Sequence, residues 1–204
     1  MWIPTARSLN KRGVRVSALL IGFLVFLYGC AHHHKIPQGL TPEHINQNNS
    51  IVILSTGAKE SSFSYSTGLL LRRMEDGKFV RMLPLSSWAV KSHFSDHHGF
   101  VSVLTLKPGR YFFTLEALHP YSWYEKPSST ISFEVRENEI LYIGEFFWEF
   151  VQKPLAERLA GGGSGYAQLA VNDKFERDIE IFLNNNSSFK MEDIKKRIPG
   201  YTQQ

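Results

Sequence analysis

Across roughly a hundred residues from Ile51 onward, apolar side chains return at every second position, and a chain with that rhythm folds as strands with one face in a core and the other toward water. Ile131, Phe133 and Val135 alternate with Ser132, Glu134 and Arg136. Phe63, Tyr65, Leu69 and Leu71 share one parity, opposite Ser62, Ser64, Ser66 and Arg72. Residues 100–106, 110–118 and 140–150 are apolar or aromatic runs of the same type. Ile140 to Ile143 is apolar on both faces, the pattern of a central strand, after which Glu145 and Glu149 are expected to open one side to water.

Turn chemistry separates these runs. Glu75-Asp76-Gly77-Lys78 places an Asp-Gly pair where a tight hairpin needs positive φ. Lys107-Pro108-Gly109-Arg110 has the residues of a type II turn, with Pro setting φ and Gly following it. Arg136-Glu137-Asn138-Glu139 is a polar break. Strands so close in sequence favour antiparallel pairing, so the fold expected for residues 51–172 is an all-β, antiparallel β-sandwich.

Helical spacing replaces this pattern over residues 173–204. Asp173 and Glu176 have the spacing of a capping box, and Phe175, Ile179, Phe182 and Leu183 then share a face. Met191, Ile194 and Ile198 suggest a second helix, stopped by Pro199-Gly200. Two short C-terminal helices packed on the sandwich are therefore expected.

The other end of the chain has the grammar of a secretory leader. Arg7, Lys11, Arg12 and Arg15 precede an apolar run over residues 16–27, and then comes Tyr28-Gly29-Cys30. A helix of about a dozen residues spans roughly 18 Å, short of the ~30 Å hydrocarbon core. Leu27-Tyr28-Gly29-Cys30 resembles the bacterial lipobox, with Tyr28 bulkier than its usual occupant. The resemblance implies a signal peptide over residues 1–29, cleavage before Cys30, and lipidation of that cysteine. By analogy with enterobacterial lipoproteins, Ala31 favours the outer membrane over the inner one. Cys30 is the only cysteine in the chain, which leaves it without a disulfide partner. Residues 30–50 are polar, contain Pro37, Gly39 and Pro42, and read as a lipidated N-terminus and flexible tether with a hydrophilic His32-His33-His34 spacer.

Charge follows from the leader. The chain has 23 Lys and Arg against 19 Asp and Glu. Four of those cations belong to the leader, so the remainder is formally neutral and gives no electrostatic reason to expect a nucleic-acid partner.

Four segments invite a functional reading. Lys91-Ser-His-Phe-Ser-Asp-His-His98 sets His93, Asp96 and His97 at spacings that suit zinc or copper in a loop. No H-E-x-x-H pattern accompanies them and no distant ligand is identifiable, so the loop is expected to be polar and solvated, and no cofactor is expected. Gly161-Gly162-Gly163-Ser164-Gly165 lacks the second flanking glycine of a nucleophile elbow and the Lys-Ser/Thr of a phosphate loop, and reads as a connector. Glu145 and Glu149 lie about 13 Å apart along a strand, beyond the range of a glycosidase carboxylate pair. Between two expected strands, His119-Pro-Tyr-Ser-Trp-Tyr-Glu-Lys-Pro127 brings Tyr121, Trp123 and Tyr124 together. These aromatics can form a ledge for a partner or ligand, or fold back over the end of the core.

Leu104-Thr-Leu-Lys-Pro-Gly-Arg-Tyr111, Ile131-Ser-Phe-Glu-Val135, Leu141-Tyr-Ile-Gly-Glu145 and Leu169-Ala-Val-Asn-Asp-Lys-Phe-Glu-Arg-Asp178 resemble segments of uncharacterised proteobacterial lipoproteins with a transthyretin-like or carboxypeptidase-regulatory-like β-sandwich. The resemblance covers roughly residues 51–199 and implies a fold, not an activity. The expectation is a non-enzymatic structural or interaction module of the cell envelope, anchored to a membrane through Cys30 and meeting an envelope protein. The alternative is a ligand-binding protein for carbohydrate, peptide or metal.

Overall fold

In the computed structural model the chain divides into two compact units, Met1–His33 and His34–Gln204. The structure describes residues 36–46, 48–59, 67–85, 91–117, 124–125, 130–160 and 165–202, all in the second unit. The expected leader, residues 1–29, and Cys30 lie outside the described residues.

The alternating segments form two sheets. The first contains β1 (Ser50–Ala58), β4 (His98–Leu106), β6 (Tyr124–Glu125), β8 (Ile140–Gln152), β9 (Gly165–Asn172) and β10 (Ile194–Lys196). Its order is β4-β1-β8-β9-β6, with β10 also pairing with β8. The second contains β2 (Thr67–Arg73), β3 (Phe79–Pro84), β5 (Gly109–Ala117), β7 (Thr130–Val135) and β11 (Tyr201–Thr202), in the order β11-β7-β5-β2-β3. The helices are α1 (Leu155–Leu159) and α2 (Phe175–Asn185).

An all-β sandwich is therefore present, and its pairing is more mixed than hairpin logic suggests. The Asp-Gly turn does join the antiparallel β2–β3 pair, with Gly77 at φ +64°. The Pro-Gly link after β4, by contrast, carries the chain from the first sheet to the second, and the polar break before β8 carries it back. Strands adjacent in sequence thus often face each other across the core. β1 and β8, more than eighty residues apart, are left to pair in parallel, as are β10 with β8 and β6 with β9. The expectation of a purely antiparallel sandwich is corrected on this point: a long excursion through the opposite sheet frees the returning strand to enter in either direction.

Two apolar cores follow, one on each face of the first sheet. Between the sheets lie Val52, Leu54, Leu69, Leu71, Phe113, Phe133, Leu141, Ile143, Phe146 and Trp148. On the outer face Ile51, Ile53, Val101, Val103, Ile140, Tyr142, Ile179, Phe182, Phe189 and Ile194 form the second core. β1 is buried along its whole length because both of its faces are covered. The central-strand reading of residues 140–143 holds for the same reason.

The C-terminal segment is only half helical. α2 forms as its spacing implies, and Asp173 Oδ1 accepts a hydrogen bond from the Phe175 N–H at 3.1 Å, one of the orphan donors of a helix start. The second expected helix is instead a single 3-10 turn, Met191–Asp193, followed by β10. The reason lies in β8. Its pairing with β9 runs from Glu145 to Gln152, leaving residues 140–142 unpaired on that edge. Buried backbone groups require partners, and Ile194–Lys196 supplies them. β11 does the same for β7, so residues 194–202 complete both sheets.

The stretch expected to be a tether is docked from Ile36 onward. Ile36 is buried in the outer core, and Leu40 and Ile45 pack against it. The Leu40 N–H donates to Asn186 Oδ1 at 2.9 Å, and Ser188 Oγ donates to the Leu40 carbonyl at 2.6 Å. A 3-10 turn, Pro42–His44, and a bridge between Asn46 and Asn49 then lead into β1. Apolar residues at 36, 40 and 45 are too widely spaced to register as a strand or helix, yet each finds a place on the outer core.

Candidate functional site

A bulge in β8 gathers a network of buried charged and polar side chains onto one face of the first sheet. Ile53 faces Tyr142 and Ser55 faces Glu145, so β8 fits two residues, Ile143 and Gly144, opposite Leu54 alone. Gly144 takes φ +101°, a conformation that L side chains rarely adopt. The extra residue reverses parity: Leu141 and Ile143 point into the core before the bulge, Phe146 and Trp148 after it. Tyr142 and Glu145, of opposite parity in sequence, consequently share the outer face beneath α2. Glu145 is 1% exposed, which corrects the expectation that it opens a face to water.

Helix α2 lies on β1 and β4 and brings Arg177 and Asp178 down onto this face. Asp178 is fully buried. Its Oδ2 accepts from Ser55 Oγ at 2.5 Å and from the Tyr142 hydroxyl at 2.8 Å, while Oδ1 accepts from Arg177 Nε at 2.9 Å and Nη2 at 2.7 Å. Arg177 Nη2 also donates to Glu145 Oε1 at 2.7 Å, and Asn172 Nδ2 donates to Glu145 Oε2 at 3.1 Å. The guanidinium centre lies 3.7 Å from the Phe94 ring centroid, a cation–π contact that covers its face. The Tyr142 oxygen accepts the Lys174 N–H at 3.2 Å and so holds the start of α2.

His97 closes the network from the β4 side. Its Nδ1 is 2.9 Å from Asp96 Oδ1, and its Nε2 is 3.0 Å from Glu145 Oε1. The second approach is within contact distance but lies off the line of a formed hydrogen bond. The ring sits where Gly57 carries no side chain, in a space a Cβ would enter at 2.8 Å. It packs between Phe94 and Phe147, with centroids 4.8 and 5.4 Å away. A cleft of about 240 Å³ opens beside it, lined by Asp96, His97, Glu145, Phe147, Asn172 and Lys174.

Electrostatics shows which of these groups is available for chemistry. Burial alone would raise the Glu145 carboxyl, but His97, Arg177 and Asn172 around it bring it down to about 2. Asp178 shifts the other way, raised above the usual carboxylate range because burial outweighs Ser55, Arg177 and Tyr142. The Tyr142 hydroxyl is raised by burial and by the adjacent Asp178 carboxylate. General acid–base work at neutral pH favours a group with a pKa near 7 that reaches its substrate. Glu145 is held ionised with both oxygens engaged, and Asp178 is enclosed. The network therefore acts as a clamp that ties α2 to the sheet and shapes one wall of a small cleft.

The structure separates the candidate metal residues. His93 Nδ1 accepts the Val101 N–H at 3.0 Å, and its ring meets Phe100 edge-on at 5.8 Å. Burial lowers the His93 pKa, favouring the neutral ring that this acceptor role needs. His97 instead stands between Asp96 and Glu145. Among the described residues no group of three or more His, Cys, Asp or Glu side chains is placed to hold a metal ion. Nor is the loop solvated throughout, since the His97 side chain is only 10% exposed.

Tyr121 and Trp123 lie outside the described residues. The backbone of Tyr124 pairs with Gly165 in β6, an edge strand of the first sheet, so part of the proline-bracketed segment belongs to the sandwich. Ser55, Arg177 and Asp178 escaped the sequence reading as members of a site, and Glu145 was read as a solvated side chain. Arg177-Asp178 beside Ile179 on the inward side of an amphipathic helix was the one available signal, since a carboxylate there needs partners. Comparisons of the chain with protein-family models and with curated proteins find no match.

Proposed function

We propose that this protein is a lipoprotein of the bacterial cell envelope, anchored through acylated Cys30, whose β-sandwich serves as a non-enzymatic interaction module for another envelope protein. The outer membrane is the favoured address. The observation that carries the interaction reading is the edge of the second sheet. β3 is its terminal strand, and Phe79, Val80 and Met82 are 56%, 40% and 44% exposed there. Apolar side chains concentrated on an edge that pairs with no further strand among the described residues suit a protein partner. Lys78 and Arg81 stand among them and the register shifts beside Arg72, features that deter indiscriminate strand addition. The partner is accordingly met through side chains.

Two measurements test this reading. Intact mass of membrane-extracted protein should show a chain that starts at Cys30 and carries acyl groups, and Cys30→Ser should abolish that processing. A mature chain with a free Cys30 thiol refutes the anchor. For the module, the double variant Phe79→Ser/Met82→Ser should weaken capture of the envelope partner at least tenfold, on the scale of two interface anchors. Because both side chains are exposed, its melting temperature should stay within a few degrees of wild type. Undiminished capture by the double variant excludes β3 as the contact.

A further inference from the structure

We propose that the docked segment from Ile36 to Asn46 is a short leash, which holds the end of the domain beyond the last turn of α2 close to the lipid headgroups instead of releasing the sandwich from the membrane surface. The proposal rests on the Cys30 anchor described above. If all residues from 31 to 50 were free, a chain of about twenty residues would reach some 25 Å and allow the domain any orientation. That freedom is absent from Ile36 onward. Ile36 is buried in the outer core, and Leu40 is bonded through its backbone to Asn186 and Ser188, just beyond the C-terminal end of α2.

Only residues 31–35 then lie between the lipidated cysteine and the docked chain. Six Cα steps span at most about 20 Å when fully extended. Part of that length is consumed in crossing the headgroup layer, which is roughly 5–7 Å deep on each side of the bilayer. The surface around Ile36, Leu40 and Ser188 is thereby confined to the immediate neighbourhood of the membrane. The occupant of this face is the bilayer surface, selected by the length of the leash. Charge contributes little: Lys190 is exposed, but Glu43 and Glu192 stand on the same segments.

This orientation has a consequence for the cleft. Lys174 and Asn172, which line it, precede the first turn of α2, whereas the leash docks beyond its last turn. Eleven residues of helix separate them, roughly 16 Å at 1.5 Å per residue. The cleft lies at the end of α2 remote from the leash, and β3 belongs to the sheet on the other side of the sandwich.

The test uses full-length acylated protein in vesicles of phosphatidylethanolamine and phosphatidylglycerol with a headgroup-linked acceptor dye. An acylated Cys30 has no thiol, so one introduced cysteine can be labelled alone. Ser187→Cys places the donor beside the leash, and Lys78→Cys places it in the β2–β3 turn; both positions are exposed. Energy transfer from position 187 should exceed that from position 78 at least threefold. Inserting twenty Gly/Ser residues between Lys35 and Ile36 should reduce the difference to less than half. Equal transfer from the two positions in acylated protein, or a difference that survives the insertion, overturns the leash while leaving the anchor standing. A second dye on Cys30 itself would show the thiol to be free and remove the anchor, and the leash with it.

Discussion

Glu145→Gln is expected to destabilise the domain by about 3 kcal/mol at neutral pH, an effect that shrinks to less than about 1 kcal/mol near pH 2. The carboxyl titrates at about 2 in the folded protein against 4.5 for the ordinary group. A depressed folded pKa means that the unfolded chain takes up protons first as pH falls. The stabilisation is fully present above about pH 4.5 and is lost as pH drops toward 2. With the residue 1% exposed, solvent screening is slight. Asp178 works in the opposite sense: its raised pKa costs stability at neutral pH and returns it on acidification. The wild-type acid profile therefore contains two opposed contributions, and only the difference between wild type and Glu145→Gln isolates Glu145. Urea unfolding of both proteins at pH 7 and pH 2.5 measures it. A gap that does not change with pH would show that shape, not charge, is what Glu145 contributes.

Gly144→Val should cost about 3–5 kcal/mol, combining a disfavoured backbone region with overpacking. A Cβ at this position would stand 2.9 Å from Val171 Cγ1 and 3.0 Å from the Asn172 carbonyl, at φ +101°. Gly144→Ala meets the same contacts with less bulk and should cost about 2 kcal/mol or more. Deleting Gly144 is the more revealing change. Without the extra residue, Tyr142, Ile143 and Glu145 would face Ile53, Leu54 and Ser55 one to one, so Glu145 stays on the outer face and Phe146 and Trp148 stay in the core. The deletion variant should therefore still unfold cooperatively. Thermal melts decide the matter: an alanine variant within half a kcal/mol of wild type, or a deletion variant that no longer melts cooperatively, would refute the role assigned to the bulge.

The two variants probe neighbouring residues that differ sharply in how legible they were. Ile131, Phe133 and Val135, like Leu69 and Leu71, announced their buried face through simple alternation, because every second side chain of a regular strand points the same way. The Asp-Gly hairpin and the amphipathic face of α2 were equally local, and both are present. Glu145 was misread for the same reason that the others were read correctly. Strict alternation set it apart from Tyr142, and a single extra residue placed both on one face. Such a bulge is visible only in pairing with β1, a strand more than eighty residues earlier.

The remaining differences have the same origin. Ile194 became a strand residue because β8 presented an unpaired edge, not because of its own spacing. Ile36 and Leu40 docked because α2 and β4 had built an apolar surface to receive them. Whether Lys107-Pro108-Gly109-Arg110 closes a hairpin or crosses between sheets likewise depends on where the next strand finds its neighbours. Local order, by contrast, arises within a few residues: the strand and helix rhythms, the Asp-Gly turn and the β-rich class were determined by the sequence alone. The mixed pairing, the clamp of Ser55, Tyr142, Glu145, Arg177 and Asp178, and the docking of the N-terminal segment were decided by the tertiary structure. Each of these unites residues far apart in the chain, and burial of backbone and charge rewards such contacts only once the sheets have assembled.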